Sequence, residues 1–289
     1  MSEARRRMLE GLPLTERRVV LAGAATTVLE GGAGPPLLLL HGGIECGGGY
    51  WAPVVERLAA RNRLVIPDLP GLGESEPLAK LDHASFGRWL AEVVHATCER
   101  APLLVAHSLL ASFAARECAR DGGGVRSLVI YGSPCVAPFR MPLGLKVAAI
   151  RVTLRPTPRN NERFERYALL DLDRTRARMP DWFAAFEAYS LECARLRHVK
   201  RTMGTLIKLG SKQVPPADLQ AARIPVSLLW GRGDRMIPLA LAEQAQARFG
   251  WPLRVIERAG HVPHIERPDE FVGALEEVAG GHPPVPAQA

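Results

Sequence analysis

Short apolar runs recur along the chain and alternate with amphipathic segments of helical length. Six runs are almost wholly apolar over four or five residues: 37–40, 64–67, 103–106, 128–131, 226–230 and 253–256. Continuous apolar runs are typical of strands buried on both faces of a parallel sheet. Two further strands are predicted at 18–23 and 25–30, joined by a turn at Gly23-Ala24.

The segments between the apolar runs predict helices at 50–60, 85–99, 109–121, 239–249 and 268–278. Alternating strands and helices predict an α/β sandwich with right-handed crossovers. Residues 134–217 contain no convincing strand and are divided by prolines, so we expect a helical insertion that returns to the sheet. The sheet domain is then 18–133 with 218–279, and residues 280–289 form a frayed tail by composition.

The composition is that of a globular protein. The chain has 289 residues, of which 47% are apolar and 23% charged, which excludes disordered, collagen-like and transmembrane proteins. No apolar run is long enough to span a bilayer, and the N-terminal one is too short for a signal peptide. The 5 cysteines are scattered without a Cys-x-x-Cys pair, which argues against disulfides or zinc and favours a cytoplasmic location.

Positive charge is concentrated in the insertion. Residues 134–217 contain 16 Lys or Arg and 7 Asp or Glu, within a chain of net charge +7. This basic segment is a solvated face, an attraction for anionic substrates, or a patch for membranes or nucleic acid. Interleaved acidic residues and the lack of a reading motif argue against nucleic acid. We therefore expect a small-molecule substrate and no stable membrane insertion, and homo-oligomer formation stays open.

A serine stands where one predicted strand meets a helix. The run 103–106 continues through His107 into Ser108, and the helical segment 109–121 follows at once. A serine on such a sharp turn exposes its hydroxyl above the free N–H groups of the helix, which suits a nucleophile whose attack creates an oxyanion. Taken alone, Ser108 fits a helix N-cap equally well.

The ends of three other predicted strands favour the nucleophile over the N-cap interpretation of Ser108. The run 37–40 leads into His41-Gly42-Gly43, the run 226–230 leads to Asp234, and the run 253–256 leads to His261. In a parallel sheet these ends share one edge, where ligands bind. A nucleophile, a carboxylate and an imidazole are therefore expected to lie together.

With these motifs the chain resembles the α/β-hydrolase family, in its cap-bearing branch, over about residues 18–278. The resemblance implies a mostly parallel eight-stranded sheet flanked by helices, with 134–217 as an inserted helical cap. It implies Ser108 as nucleophile, Asp234 as triad acid and His261 as general base. It also implies an oxyanion hole from the N–H groups of Gly43 and Leu109, and no cofactor or metal.

One departure from the family concerns the residues around the serine. The family pattern is G-x-S-x-G, and this chain has Ala106 and Leu110 in place of the glycines. Alanine is a small change. Leucine requires either a local packing that admits its side chain or an altered presentation of Ser108.

Several polar residues near these motifs have structural explanations. Asp68 is expected to fix a Pro/Gly turn, and His107 to be buried on the side opposite Ser108. His261, His264 and Glu266 resemble metal ligands in composition, but their spacing lies in a loop and no third-ligand pattern supports zinc.

The sequence therefore predicts a serine hydrolase that cleaves a small-molecule carboxylic ester or lactone through an acyl-enzyme. One alternative is hydrolysis of a carbon–carbon bond in a ring-cleavage dienoate. Such enzymes usually carry tryptophan after the histidine, where this chain has Val262. A second alternative is a non-catalytic small-molecule binder, which the Leu110 departure favours.

Overall fold

The structure is a computed structural model that describes residues 2–280. The predicted frayed tail, apart from Gly280, lies outside the described residues. The described chain forms one eight-stranded sheet with strands β1 (Thr15–Leu21), β2 (Ala24–Gly31), β3 (Pro36–Leu40), β4 (Arg63–Pro67), β5 (Leu103–His107), β6 (Ser127–Tyr131), β7 (Val226–Gly231) and β8 (Leu253–Ile256).

The sheet order is β1-β2-β4-β3-β5-β6-β7-β8, and every pairing from β4 to β8 is parallel. The two remaining pairings, of β1 with β2 and of β2 with β4, are antiparallel. The strands β3, β5, β6 and β7 are buried along their whole length, as their continuous apolar runs predict. The predicted α/β sheet is confirmed, and β5, which carries Ser108 at its end, is central in it.

The strand β8 differs from its prediction. Its apolar run predicts burial on both faces, but it lies at the sheet edge and only Ile256 is buried. Arg254 is exposed there and forms an ion pair with Glu277. A run of three apolar residues around one arginine is compatible with an edge position, because an edge strand has a neighbouring strand on one side only and its other side is open to solvent.

Helices pack on both faces of the sheet. Their bounds are α1 (Glu3–Leu9), α2 (Ala52–Ala59), α3 (His83–Thr97), α4 (Ser108–Asp121), α5 (Leu143–Leu154), α6 (Pro158–Ala168), α7 (Leu172–Arg178), α8 (Pro180–Ala194), α9 (Arg197–Gly210), α10 (Pro216–Gln220), α11 (Ala240–Phe249), α12 (Pro263–Glu266) and α13 (Pro268–Gly280). A 3-10 helix, Gly47–Trp51, precedes α2.

Local capping explains one shifted boundary. Helix α3 begins two residues before its predicted start because Asp82 accepts a hydrogen bond from the Ser85 backbone N–H (2.9 Å). The Ser85 hydroxyl in turn accepts from the Asp82 N–H (2.9 Å), so the two residues form a reciprocal cap.

The described residues between β6 and β7 contain helices α5 to α10 and no strand, as expected for the insertion. The sequence did not predict α1. This helix packs against α8 of the insertion and buries Arg5 completely. Residues 2–17 are therefore part of the folded structure.

Candidate active site

Ser108 occupies a strained turn between β5 and α4. Its φ angle is +51°, in the left-handed region that residues other than glycine rarely adopt. Helix α4 starts at Ser108 itself, and the N-cap position belongs to His107, whose side chain makes no capping hydrogen bond. The N-cap explanation of this serine therefore does not apply, and Ser108 faces a cavity.

The structure brings the three predicted residues together. The Ser108 hydroxyl lies 3.1 Å from His261 Nε2, and His261 Nδ1 lies 2.8 Å from Asp234 Oδ2. The other carboxylate oxygen of Asp234 accepts hydrogen bonds from the N–H groups of Met236 and Ile237, each at 2.8 Å. These two bonds fix the carboxylate plane, so Asp234 can hold one imidazole tautomer with Nε2 free to accept the serine proton.

The backbone of His261 is held from two sides. His107 Nε2 contacts the His261 carbonyl oxygen at 3.1 Å, and the His261 N–H donates to the Ala168 carbonyl in α6 (2.7 Å). Burial, followed by the neighbouring His261 and His264, lowers the pKa of His107 far below its ordinary value, so this ring is neutral. Gly132 leaves room for the imidazole, because a Cβ there would lie 3.1 Å from the His261 ring.

Glu266 connects the insertion to the loop that carries His261. Its carboxylate accepts hydrogen bonds from the N–H groups of Gly260 (2.5 Å), Leu170 (2.7 Å) and Asp171 (3.1 Å). Burial raises the pKa of this carboxyl against those three donors. The sequence offered Glu266 only as a superficial metal ligand, since two of its real partners lie far away along the chain.

The two predicted oxyanion donors border the cavity beside Ser108. Gly43 follows β3 with φ +78°, and Leu109 begins the regular part of α4. Leu110 lies fully buried behind them, with its Cδ2 3.2 Å from where a Gly43 Cβ would stand. The packing thus admits the leucine by keeping glycine opposite it, and α4 is regular from Leu109 onward.

The cavity above Ser108 is mostly apolar and is enclosed by helices of the insertion. Its walls include Leu145, Val152, Phe164, Phe183, Phe186 and Ile207. Among the described residues that line it there is no lysine or arginine, and the carboxyl groups are those of Glu45 and Glu165.

Both cavity carboxyls are hard to ionise. Burial raises the pKa of Glu45. Burial and the neighbouring Glu187 raise the pKa of Glu165 to about 8, although Arg176 and Asn161 oppose the shift. The cavity therefore combines apolar walls with carboxyl groups whose neutral form is favoured.

The remaining polar residues of the sequence analysis have structural contacts. Asp68 accepts from the N–H groups of Gly48 (2.5 Å) and Glu74 (2.9 Å), as expected of a residue that fixes a turn. His264 is buried, with Nδ1 2.5 Å from the Tyr131 hydroxyl, and burial lowers its pKa to about 3. No group of three or more His, Cys, Asp or Glu within residues 2–280 has a metal-binding arrangement.

Comparison with known proteins assigns the family. Residues 37–274 match the model of the alpha/beta hydrolase family. The chain belongs to the α/β-hydrolase family. It is 29% identical over 265 residues to a pimeloyl-[acyl-carrier protein] methyl ester esterase of Aeromonas hydrophila, covering 86% of this chain and 97% of the relative. A protein of the same name from Nitrosomonas europaea is 29% identical over 258 residues, covering 85% and 96%.

Solved structures agree with this fold. A carboxylesterase of Bacillus subtilis superposes with a TM-score of 0.81 at 19% identity, covering 97% of each chain. A 2-hydroxy-6-oxo-6-phenylhexa-2,4-dienoate hydrolase from a Rhodococcus strain superposes with a TM-score of 0.79 at 20% identity, covering 93% of this α/β hydrolase and 100% of that chain.

The predictions of fold, family and hydrolase activity are confirmed by these relatives. None of the helices within residues 2–280 combines the length and apolar character needed to cross a membrane.

Proposed function

We propose that this α/β hydrolase is a serine esterase in which Ser108, His261 and Asp234 form the catalytic triad. The observation that carries the proposal is the continuous set of contacts from the Ser108 hydroxyl through both nitrogens of His261 to Asp234, at 3.1 and 2.8 Å. This arrangement lies at the floor of an apolar cavity, where an ester carbonyl can reach the serine.

In the first step His261 Nε2 takes the proton of Ser108 as the oxygen attacks the ester carbonyl carbon. The carbonyl π electrons move to oxygen, and the N–H groups of Gly43 and Leu109 stabilise the resulting oxyanion. Asp234 stabilises the imidazolium. The tetrahedral intermediate collapses when His261 returns the proton to the departing alcohol, which leaves an acyl-serine.

In the second step water attacks the acyl-serine, with His261 as the base that removes its proton. The second tetrahedral intermediate expels Ser108, which recovers its proton from His261, and the carboxylic acid is released. Each proton that the imidazole accepts is returned within the same half-reaction. The cycle requires no external oxidant or cofactor.

The substrate class follows from the cavity. We infer a neutral carboxylic ester or lactone with an apolar acyl chain, because apolar side chains dominate the walls and the described lining residues include no lysine or arginine to pair with an anion. The similar esterases are named for a methyl ester, which is also neutral at the reacting end. Helices α5 to α9 act here as a cap over Ser108. A dienoate carries its own carboxylate, and no lysine or arginine among the described lining residues would neutralise it.

A phosphonate probe that reacts with activated serines tests the proposal. We expect stoichiometric labelling at Ser108, together with hydrolysis of p-nitrophenyl esters of medium chain length. Ser108→Ala should abolish labelling and lower turnover by about 10⁴ or more. Ser112→Ala is the matched control, because this serine of the same helix donates to the Lys212 carbonyl instead. Absence of both labelling and hydrolysis would indicate a non-catalytic binder. Hydrolysis that Ser108→Ala retains in full would indicate another nucleophile.

A further inference from the structure

One helix of the insertion exposes a row of large aliphatic side chains. Four of the six large hydrophobic residues exposed within residues 2–280 lie on α5, with exposed fractions of 77, 37, 49 and 72%: Leu143, Val147, Ile150 and Leu154. Their spacing of four, three and four residues places them on one face of the helix. This row, called the α5 stripe below, is about 16 Å long.

The opposite face of α5 is also apolar. Leu145 and Val152 are buried and line the cavity above Ser108. A helix that covers a protein core normally presents a polar face to water, whereas α5 presents aliphatic side chains on both sides. A contiguous exposed apolar row of this kind marks a docking surface.

Basic residues surround the α5 stripe. At 3.6 residues per turn, Lys146 and Arg151 stand on opposite flanks of the stripe, and both are exposed. Arg140 and Arg155 are exposed beyond its two ends. The chain contains no Asp or Glu from residue 122 to residue 161. None of these four cations forms an ion pair with a described residue, whereas Arg166 and Arg176 in the same insertion do.

We propose that α5 docks the enzyme on an anionic lipid surface. The α5 stripe lies in the plane of the interface, with its side chains at the boundary of headgroups and acyl chains. Lys146, Arg151, Arg140 and Arg155 then contact lipid phosphates. Binding is peripheral, because one 12-residue helix supplies it.

Charge complementarity favours lipid over a second copy of this chain. Two α5 stripes facing each other would bring like-charged flanks together, with no acidic residue on either helix to compensate. An anionic bilayer supplies the opposite charge along both flanks at once. Docking also places lipid on one side of α5 and the cavity on the other, so an apolar ester has a short path to Ser108.

Vesicle co-sedimentation tests the proposal directly. The full chain is mixed with vesicles of phosphatidylcholine alone or with equal parts of phosphatidylglycerol, at low and high salt. We expect binding to the anionic vesicles, at least about tenfold stronger than to the neutral ones, and a marked loss of binding in about 0.5 M salt. Ser108→Ala should bind equally well, so this result is independent of the proposed catalysis.

Two double variants separate the contributions. Leu143→Gln with Leu154→Gln should lower vesicle affinity at least about tenfold, since two large aliphatic side chains no longer leave water. Lys146→Gln with Arg151→Gln should lower it on anionic vesicles only, and Lys146→Arg with Arg151→Lys should restore it. Val20→Gln is the matched control, because Val20 is 73% exposed on β1 far along the chain from α5. Thermal unfolding and hydrolysis of a soluble p-nitrophenyl ester should be unchanged in all of them.

Three results would overturn the proposal. The first is equal or absent binding to both kinds of vesicle. The second is a concentration-dependent dimer that the Leu143→Gln, Leu154→Gln variant abolishes while vesicles are not bound. The third is binding of an acidic acyl carrier protein through the same residues without any vesicle binding, which would make α5 a protein-docking surface.

Discussion

Two buried aspartates stand at the same edge of the sheet, Asp68 directly after β4 and Asp234 shortly after β7. Each accepts two backbone N–H hydrogen bonds, Asp68 from Gly48 and Glu74 and Asp234 from the loop that follows it. Their surroundings are alike in burial and in these donors. They differ in the side chain that each carboxylate contacts.

Asp68 contacts Arg5 of α1 at 3.1 Å, whereas Asp234 contacts His261 at 2.8 Å. Burial opposes the charge of Arg5, but the neighbouring Asp68 and Glu16 outweigh it and raise the pKa of Arg5, so the guanidinium stays charged. Burial raises the pKa of Asp68, and the charge of Arg5 opposes that shift. An imidazole gains and loses a proton during each catalytic cycle. Of these two aspartates, only Asp234 contacts a side chain that can gain and lose a proton near neutral pH.

The largest expected effect separates the two aspartates by activity. Asp234→Asn should lower turnover of a p-nitrophenyl ester by about 10⁴, because the amide favours the wrong imidazole tautomer. Its oxygen can still accept from Met236 and Ile237, so the variant should unfold near the wild-type temperature. Asp68→Asn is the control and should keep turnover within a few-fold in the folded protein. Retention of more than about a tenth of the activity by Asp234→Asn would mean that another group serves as the acid.

The second effect separates them by stability. Arg5→Met leaves Asp68 buried without its cation, which we expect to lower the free energy of unfolding by about 3–5 kcal/mol in urea titrations. Turnover of the folded fraction should stay close to wild type. Arg6→Met is the matched control, since the neighbouring Arg6 is exposed and pairs only with Glu3 on the surface among the described residues. Equal destabilisation by both variants would contradict a special role for the buried pair.

The third and smallest expected effect concerns Glu165, a buried carboxyl that contacts a cation and also lies close to a second acid. Glu165 shares Arg176 with Glu187, and burial with that second acid raises the pKa of Glu165 from 4.5 to about 8. Between about pH 4.5 and pH 8 the unfolded chain has released this proton while the folded protein retains it, so folding stability falls as pH rises through that window.

Glu165→Gln removes that dependence. We expect its free energy of unfolding, relative to wild type, to increase from about pH 5 to about pH 8 by on the order of 1–2 kcal/mol. Glu162→Gln, an exposed position in the same helix, should show no such trend. Parallel curves for wild type and Glu165→Gln would show that Glu165 is ionised throughout this range.

The regular part of the molecule was predictable because local patterns report it directly. Continuous apolar runs identified β3, β5, β6 and β7, whose burial on both faces leaves no polar alternation. Since parallel strands end at one edge, the positions of Ser108, Asp234 and His261 after the apolar runs of β5, β7 and β8 predicted their proximity. Their separations of 3.1 and 2.8 Å agree with that expectation.

Contacts between distant segments had no local pattern to reveal them. Nothing around Arg5 indicated that α1 would carry it to Asp68, and nothing around Glu266 indicated that it would bind the N–H groups of Leu170 and Asp171. Such partners are chosen by packing, because a buried charge or N–H group takes whichever complementary group the fold brings within reach.

The sequence by itself thus determined which strands end in chemistry-bearing residues, since secondary structure and burial follow from the spacing of apolar side chains. Only the tertiary structure decided that β8 is an edge strand and that Leu110 packs behind Gly43. It also decided which face of α5 covers the cavity and which meets the surroundings. A helix with aliphatic side chains on two opposite faces has no single apolar side to orient it, so its direction depends on the neighbours against which it packs.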